Sequence, residues 1–554
     1  MKLLLRGKGT GYIFFIAMMI WLFIAGLPRS VALPYTVISA GDPILDDLRF
    51  LVRESGRSFL SFTPPLSRDE VLHILDEIDT EKLGEAGSKV YRRVYDALNP
   101  ASRFSDELFS LDAHLQIMPE FRIRTNTDLP YNRDYPVSPT FLSLPISLLF
   151  ADTVQLAVEP IITQDPTYYA ESGSHGGTNV PFDIEQVDMN MPLRGFIATG
   201  SAWWNLQLGR DKVSYGLGHT GNLALSDTPD YYDFLRLSFF SSNIKYSMFI
   251  SQMPLITTGL IADGHILTSG AELLTETTQR YMYLHRLDVR LFRQVSLGIS
   301  EGIMAGNTSP ELRFLNPFAL FHSFFAWRDY PKWSEGGGDL VGSMFSLDIE
   351  WAILPSLAIY GQFVMNEFTM AMELTDHDNP PDELGFLAGI EYTQSFNNWN
   401  ALFYGEFVYT DPYLYTLSSP FSSFIWMRRL AQMGNKPNWY RWIGHPAGRD
   451  TILFTLGATL TKSDLRFAFD ITLINQGEHS IRWDWLHSQE ARAERTPSGI
   501  AEQKLSSGLE AAWKPISWLT LTGYIGGAMA FNANHVEGNQ QYGMEFSASV
   551  AVVF

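Results

Sequence analysis

Over most of the chain, apolar and polar positions alternate with a period of two. The last stretch is the clearest. Tyr542, Met544, Phe546, Ala548, Val550, Val552 and Phe554 form one set, and Gly543, Glu545, Ser547, Ser549, Ala551 and Val553 the other. A strict two-residue period describes a strand with one face in an apolar medium and one in a polar medium. Leu519, Leu521, Gly523, Ile525, Gly527, Met529 and Phe531 share a face in the same way, as do Ile452, Phe454, Leu456, Ala458 and Leu460. Leu465, Phe467 and Phe469 alternate with Arg466, Ala468 and Asp470. An arginine facing the bilayer midplane costs about 2–4 kcal/mol, which places Arg466 on the inner side.

From Leu111 onward, segments of roughly ten residues recur, the length that crosses a membrane as a tilted strand. Short turns are expected at Ala151-Asp152-Thr153, Ser241-Ser242-Asn243, Pro355-Ser356, Asn397-Asn398, Lys462-Ser463-Asp464 and Lys514-Pro515-Ile516. Long connections are expected at 161–192, 210–232, 254–280, 304–338, 370–383, 410–450, 476–502 and 533–541. Short turns on one side and long ones on the other describe a membrane barrel with periplasmic turns and extracellular loops. Bacterial barrels of one chain use even strand numbers, so the count is set at about 18. A turn near Gly200, dividing Leu193–Ala198 from Ala202–Arg210, makes it even. The strand that ends on Phe554 is expected to close the barrel against the first strand.

The period changes before residue 106. Leu45, Leu48, Leu51 and Val52 fall on one helical face, with Gly56 as a stop. Ser67 and Glu70 have the spacing of a capping box ahead of Val71, Leu72, Leu75 and Ile78. A third helix carries Val90, Tyr91, Val94 and Leu98 and ends at Pro100. Three short helices bury too little to stand alone, so residues 33–105 are expected to dock on the barrel, 106–554. Ahead of them, Lys2, Arg6 and Lys8 precede an apolar run from Gly11 to Leu27 and the small residues Ser30-Val31-Ala32. That is the pattern of a secretory signal peptide, 1–32. The fold class expected is therefore all-β, a transmembrane antiparallel barrel with a small N-terminal α-helical bundle.

Composition narrows the function. The 554 residues include no cysteine, which excludes thiolate metal sites, disulfides and a cysteine nucleophile. Sixty acids against 40 bases give a net charge of −20, which argues against nucleic acid as a partner. A mean hydropathy of −0.03 leaves no room for a bundle of membrane helices.

Gly216-Leu217-Gly218-His219-Thr220-Gly221 fits the dinucleotide fingerprint literally. The preceding segment alternates like a barrel strand and no helical period follows, so that reading fails. Instead, Leu208-Gly209-Arg210-Asp211, Tyr215-Gly216-Leu217-Gly218 and Gly221-Asn222-Leu223-Ala224-Leu225-Ser226-Asp227, then Asp233 and Arg236-Leu237, resemble the capsule-assembly Wzi-type outer-membrane proteins. His285-Arg286-Leu287-Asp288 with Ser300-Glu301-Gly302, Leu315-Asn316-Pro317, and Ile443-Gly444-His445-Pro446 with Gly448 and Asp450 resemble the family in the same order. Leu217 and Arg449 stand where that pattern has proline. The resemblance implies an 18-stranded barrel, a helical bundle at its periplasmic mouth, and a lectin-like role toward capsular polysaccharide.

Aromatic clusters in the long connections suit that role. Trp327 and Trp333 lie in one, Trp426, Trp439, Tyr440 and Trp442 in another, Trp483 and Trp485 in a third. A flat ring covers the C–H face of a sugar while polar neighbours bond its hydroxyls. The same rings could equally form an interfacial girdle or pack the loops together. His219 and His445 sit in glycine-rich turns and read as turn hydrogen-bonding groups. Glu301, Glu311 and Asp450 read as solvated lumenal carboxylates, and Asp376-His377-Asp378 as a loop tip. No catalytic set, metal site or cofactor is expected. Expected partners are surface polysaccharide, outer-membrane lipid, and the barrel assembly machinery through the strand ending in Phe554. The rival reading is a porin or transporter whose pore is lined by Arg210, Arg236, Arg466 and Asp470. A rim hydrolase using His219 or His445 is the third.

Overall fold

The computed structural model describes residues 35–98, 104–105, 108–129, 139–165, 176–190, 193–254, 279–306, 309–317, 341–366, 383–416, 421–429, 438–481 and 494–554. The expected signal peptide and the Asp376-His377-Asp378 cluster lie outside the described residues.

The period-two segments form one antiparallel sheet. Its passes are β1 (Phe109–Ala113, Gln116–Ile117, Glu120–Arg124), β2 (Thr140–Ser143, Ile146–Phe150), β3 (Val154–Glu159, Ile161–Thr163), β4 (Arg194–Ser201), β5 (Trp204–Asp211) and β6 (Tyr232–Phe240). Then come β7 (Ile244–Met253), β8 (Arg280–Phe292), β9 (Val295–Gly306), β10 (Val341–Leu354), β11 (Leu357–Met365) and β12 (Leu384–Phe396). The series ends with β13 (Trp399–Thr410), β14 (Thr451–Lys462), β15 (Leu465–Gln476), β16 (Glu502–Ile516), β17 (Leu519–Phe531) and β18 (Gln540–Val553). Among the described residues these passes number eighteen, consistent with the parity argument. Pro119, Pro145 and Pro160 interrupt the first three, because proline has no N–H for the ladder. Strand β18 pairs with β1, Phe546 opposite Ile123 and Val552 opposite Ile117, so the sheet closes on itself.

The alternation has its physical counterpart in exposure. Met544, Phe546 and Val550 face outward while Glu545 is buried. Phe386, Phe403, Phe407, Phe454, Phe469 and Leu473 each expose between 41% and 46% of their surface. Apolar rings standing outward all round a closed sheet are stable against hydrocarbon, and closure leaves no unpaired backbone edge. The wall is that of a membrane barrel.

Asn397 and Asn398 both take positive φ, 46° and 65°, as a tight two-residue hairpin turn requires. The turn expected at Lys514-Pro515-Ile516 lies elsewhere. Strand β16 continues to Ile516 with a register shift after Trp513, and the chain reverses at Ser517-Trp518. Pro515 marks a bulge, the site in a sheet where a missing N–H costs least. A further short turn, Arg293-Gln294, carries no glycine, proline or asparagine to announce it. The turn near Gly200 falls at Ala202-Trp203.

The N-terminal segment forms α1 (Ile44–Glu54), α2 (Arg68–Asp76) and α3 (Glu85–Ala97). The capping box is present: Ser67 Oγ accepts from Glu70 N (3.3 Å) and Glu70 Oε2 accepts from Ser67 N (2.8 Å). The helices meet the barrel at its short-turn end. Tyr35 N donates to Asp152 O (2.9 Å), Ser58 N to Arg293 O (3.1 Å) and Ser356 N to Arg53 O (2.8 Å). Their apolar faces join a core inside the barrel that also takes in Tyr215, Leu223, Leu225, Tyr415, Trp426 and Ile443 from two long connections.

Candidate functional site

Two long connections fold back into the lumen. Residues 212–231 bring Val213, Tyr215, Leu217, Leu223 and Leu225 into the core. Gly216 N donates to Phe62 O (2.9 Å) and Ser214 N to Pro64 O (3.0 Å), so this connection rests directly on the N-terminal segment. The described residues of 411–450 pack into the same core through Leu414, Tyr415, Phe424, Trp426 and Ile443. They contain a hairpin, Ile425–Arg429 paired with Asn438–Trp442.

The two connections lock at their motif residues. Ser226 N donates to Ile443 O (2.8 Å) and Ser226 Oγ to Gly444 O (2.7 Å). Tyr415 Oη donates to Leu223 O (2.7 Å). Position 444 requires glycine because a Cβ there would lie 2.3 Å from Leu223 O. At Gly221, φ is +130° and a Cβ would meet Pro446 Cδ at 2.2 Å. The motif glycines thus serve close contact between segments remote in sequence.

Below this lock lies a charged layer. Glu406 accepts from His219 N (2.6 Å), Thr220 N (2.8 Å) and Thr220 Oγ1 (2.6 Å). Glu391 meets Arg53, Arg49 Nη1 (3.0 Å) and His219 Nε2 (2.7 Å). Arg53 also binds Glu350. Burial alone would lower the Arg53 guanidinium, but Glu350 and Glu391 hold it above its usual value. His219 stacks on Tyr404 at 3.9 Å. A cavity of about 190 Å³, lined by Asp46, Tyr404, Arg466 and Asp470 among others, reaches His219.

His445 is fully buried. Its Nδ1 accepts from Ala447 N (3.2 Å), which leaves the Nε2 proton for Thr220 Oγ1 (3.1 Å). Burial pulls its pKa down to about 4, so the ring is neutral at physiological pH. Both histidines are therefore bonding groups, as their turns suggested.

Of the four residues expected to line a pore, Arg210, Arg236 and Arg466 are bonded to neighbours, and Arg466 and Asp470 line the cavity beside His219. Arg236 is buried and donates to Thr63 O (3.2 Å) of the N-terminal segment. Arg210 forms a two-pronged pair with Asp233 (2.7 and 2.8 Å). Arg466 binds Glu510 (2.9 Å).

The aromatic candidates divide. Trp426 is 1% exposed, edge-on to Tyr231 at 5.3 Å, and Trp442 is 7% exposed beside Tyr415. Both are core residues and present no face to a sugar, which corrects their reading as contacts. The inward fold of the connection consumes them. Tyr440 is half-buried against the same core. Trp327, Trp333, Trp483 and Trp485, and the side chain of Trp439, lie outside the described residues.

Other motif positions have structural roles. Gly209 takes φ +140°, where a Cβ would lie 2.4 Å from Gly195 O. Gly216 and Gly218 are likewise without room for a side chain, and Gly448 lies against the Trp442 ring. Asn316 and Pro317 follow a 3₁₀ turn, Leu312–Leu315, whose Phe314 packs on Tyr283 in a separate cluster. Asp450 is buried, which corrects its reading as a solvated carboxylate. Arg49, Arg53, Glu391 and Glu406 were not read from the sequence. The available signal was Arg49 and Arg53, four apart within the apolar stripe of α1, where a charge needs a buried partner.

The fold is shared with the first of the solved proteins that follow. Wzi of Escherichia coli, described as an outer-membrane protein involved in group 1 capsule assembly and a carbohydrate-binding β-barrel, is 14% identical with a TM-score of 0.55, over 93% of this chain and 99% of that one. Pseudomonas aeruginosa OprD is 10% identical with a TM-score of 0.41, over 82% and 99%. The outer-membrane channel DcaP of Acinetobacter baumannii is 9% identical with a TM-score of 0.35, over 82% and 100%. No curated protein matches by sequence. Residues 123–541 match the family described as "Capsule assembly protein Wzi", and the chain belongs to that family of outer-membrane β-barrels.

Proposed function

We propose that this protein binds capsular polysaccharide and holds it at the outer surface of the outer membrane, without catalysing a reaction. The observation that carries the reading is the packed lumen. A pore needs a water-filled path, whereas here α1, residues 58–65 and two long connections share one apolar core. In this reading the polymer is held by the long connections. Many weak contacts along a repeating polymer add up to firm retention.

In this reading the short turns and the helices face the periplasm, and the long connections face outward. Export follows the signal peptide, and the strand ending in Phe554 engages the barrel assembly machinery. Trp327, Trp333, Trp439, Trp483 and Trp485 stay as sugar-stacking candidates. A glycan array probed with the refolded protein tests the function. Selective retention of acidic or neutral surface polysaccharides is expected. Binding to none of them, combined with ion conductance, would favour the porin reading.

A further inference from the structure

We propose that Asp450 and Arg449 act together as a staple that sets the described ends of the connection after β15, 477–481 and 494–498, against the connection 411–450. Polysaccharide affinity then depends on two residues that do not touch the polymer. This inference rests on the polysaccharide-binding reading above.

The Asp450 carboxylate is fully buried, yet every donor it meets comes from another segment. It accepts from Ser498 N (3.0 Å), Ser498 Oγ (2.5 Å) and His479 N (3.2 Å). Its own N donates to Asp411 O (3.0 Å), and its carbonyl accepts from Gly477 N (2.8 Å). Gly477 has to be glycine here, since a Cβ would lie 2.0 Å from Asp450 Oδ2. Asp450 reaches these partners from φ +56°, a conformation aspartate tolerates better than most residues.

Arg449 extends the grip. Its Nε and Nη2 donate to Ser480 O (3.2 and 2.8 Å), and its Nη1 donates to Thr416 Oγ1. A proline at this position could make none of these bonds. Two adjacent residues therefore join 411–416, 477–480 and 498. These ends lie beyond the ladder, which stops at Gln476 and resumes at Glu502. Fixing them from within lowers the ordering cost of binding, the general route by which rigid surfaces bind tighter.

The test uses the full barrel in detergent and polysaccharide extracted from the surface of the producing cells. Asp450→Ala is expected to weaken binding about tenfold while gel mobility before and after heating shows an intact barrel. Because the chain has no cysteine, Asp450→Cys combined with Ser498→Cys can replace the staple covalently. The oxidised pair should bind like wild type and the reduced pair like Asp450→Ala. Wild-type affinity in Asp450→Ala, or equal binding by the oxidised and the reduced pair, overturns the proposal. If wild type itself binds nothing, the polysaccharide reading fails. The staple then stands or falls on proteolysis: protection of 477–498 must be lost on reduction and regained on oxidation.

Discussion

Ser226 donates its hydroxyl to the carbonyl of Gly444 at 2.7 Å, across 218 positions of sequence. That bond ties two long connections together inside the barrel. Gly444→Ala would drive a methyl group toward Leu223 O and the Tyr415 ring, at 2.3 and 2.4 Å. Overpacking of this kind costs about 1–3 kcal/mol. Ser226→Ala removes that bond together with the hydroxyl's contacts to Thr228 N (3.2 Å) and Thr228 Oγ1 (2.6 Å), and costs at least about 1 kcal/mol. Both should make residues 212–231 more sensitive to protease, Gly444→Ala more so, with the heat-dependent gel shift of the barrel unchanged.

Arg53 holds Glu350 and Glu391 inside the lumen. Arg53→Ala leaves both carboxylates without it, and breaking a buried pair in this way costs about 3–5 kcal/mol. The N-terminal plug should loosen. In planar bilayers wild type is expected to pass almost no ions and Arg53→Ala to show frequent openings. Arg53→Lys should fall between them, because an ammonium cannot span two carboxylates as a guanidinium does.

His445 gives the plug a dependence on pH. Its folded pKa, about 4, lies below the ordinary value of 6.5. Between those values the unfolded chain binds the proton and the folded chain does not. The contribution is complete above pH 6.5, falls by about 1.4 kcal/mol per unit toward pH 4, and is flat below. Denaturant midpoints measured from pH 7 to pH 4 should fall less steeply for His445→Gln than for wild type.

Trp426 and Trp442 support the plug. Truncating a buried tryptophan costs about 3–5 kcal/mol. Trp426→Ala should therefore lower the unfolding midpoint as well as binding. Alanine at Trp327 or Trp483 should weaken polysaccharide binding with the midpoint unchanged. Measuring both quantities on each variant separates the two classes.

The wall was legible because each strand carries its own evidence: Phe546 beside Glu545 reveals two solvents without knowledge of any other strand. The capping box of Ser67 and Glu70 was legible for the same reason, being local. The plug was not. Tyr215, Leu223 and Leu225 sit among glycines and asparagine, so length and turn residues marked the segment as an outer loop. Their burial depends on Ile443 and Phe62, which no local pattern connects to them. Trp426 reads alike as a sugar platform or a core residue until its neighbours are known. Pro515 suggested a turn because proline marks turns and bulges equally.

The most direct test is equilibrium binding of the producing cell's surface polysaccharide to the folded barrel in detergent, with titration of the same sample in planar bilayers as its control. Saturable binding by a barrel that stays electrically silent is the predicted result. A barrel that binds no polysaccharide and conducts steadily would contradict the account, since a packed lumen and an adhesive outer face would then both be wrong.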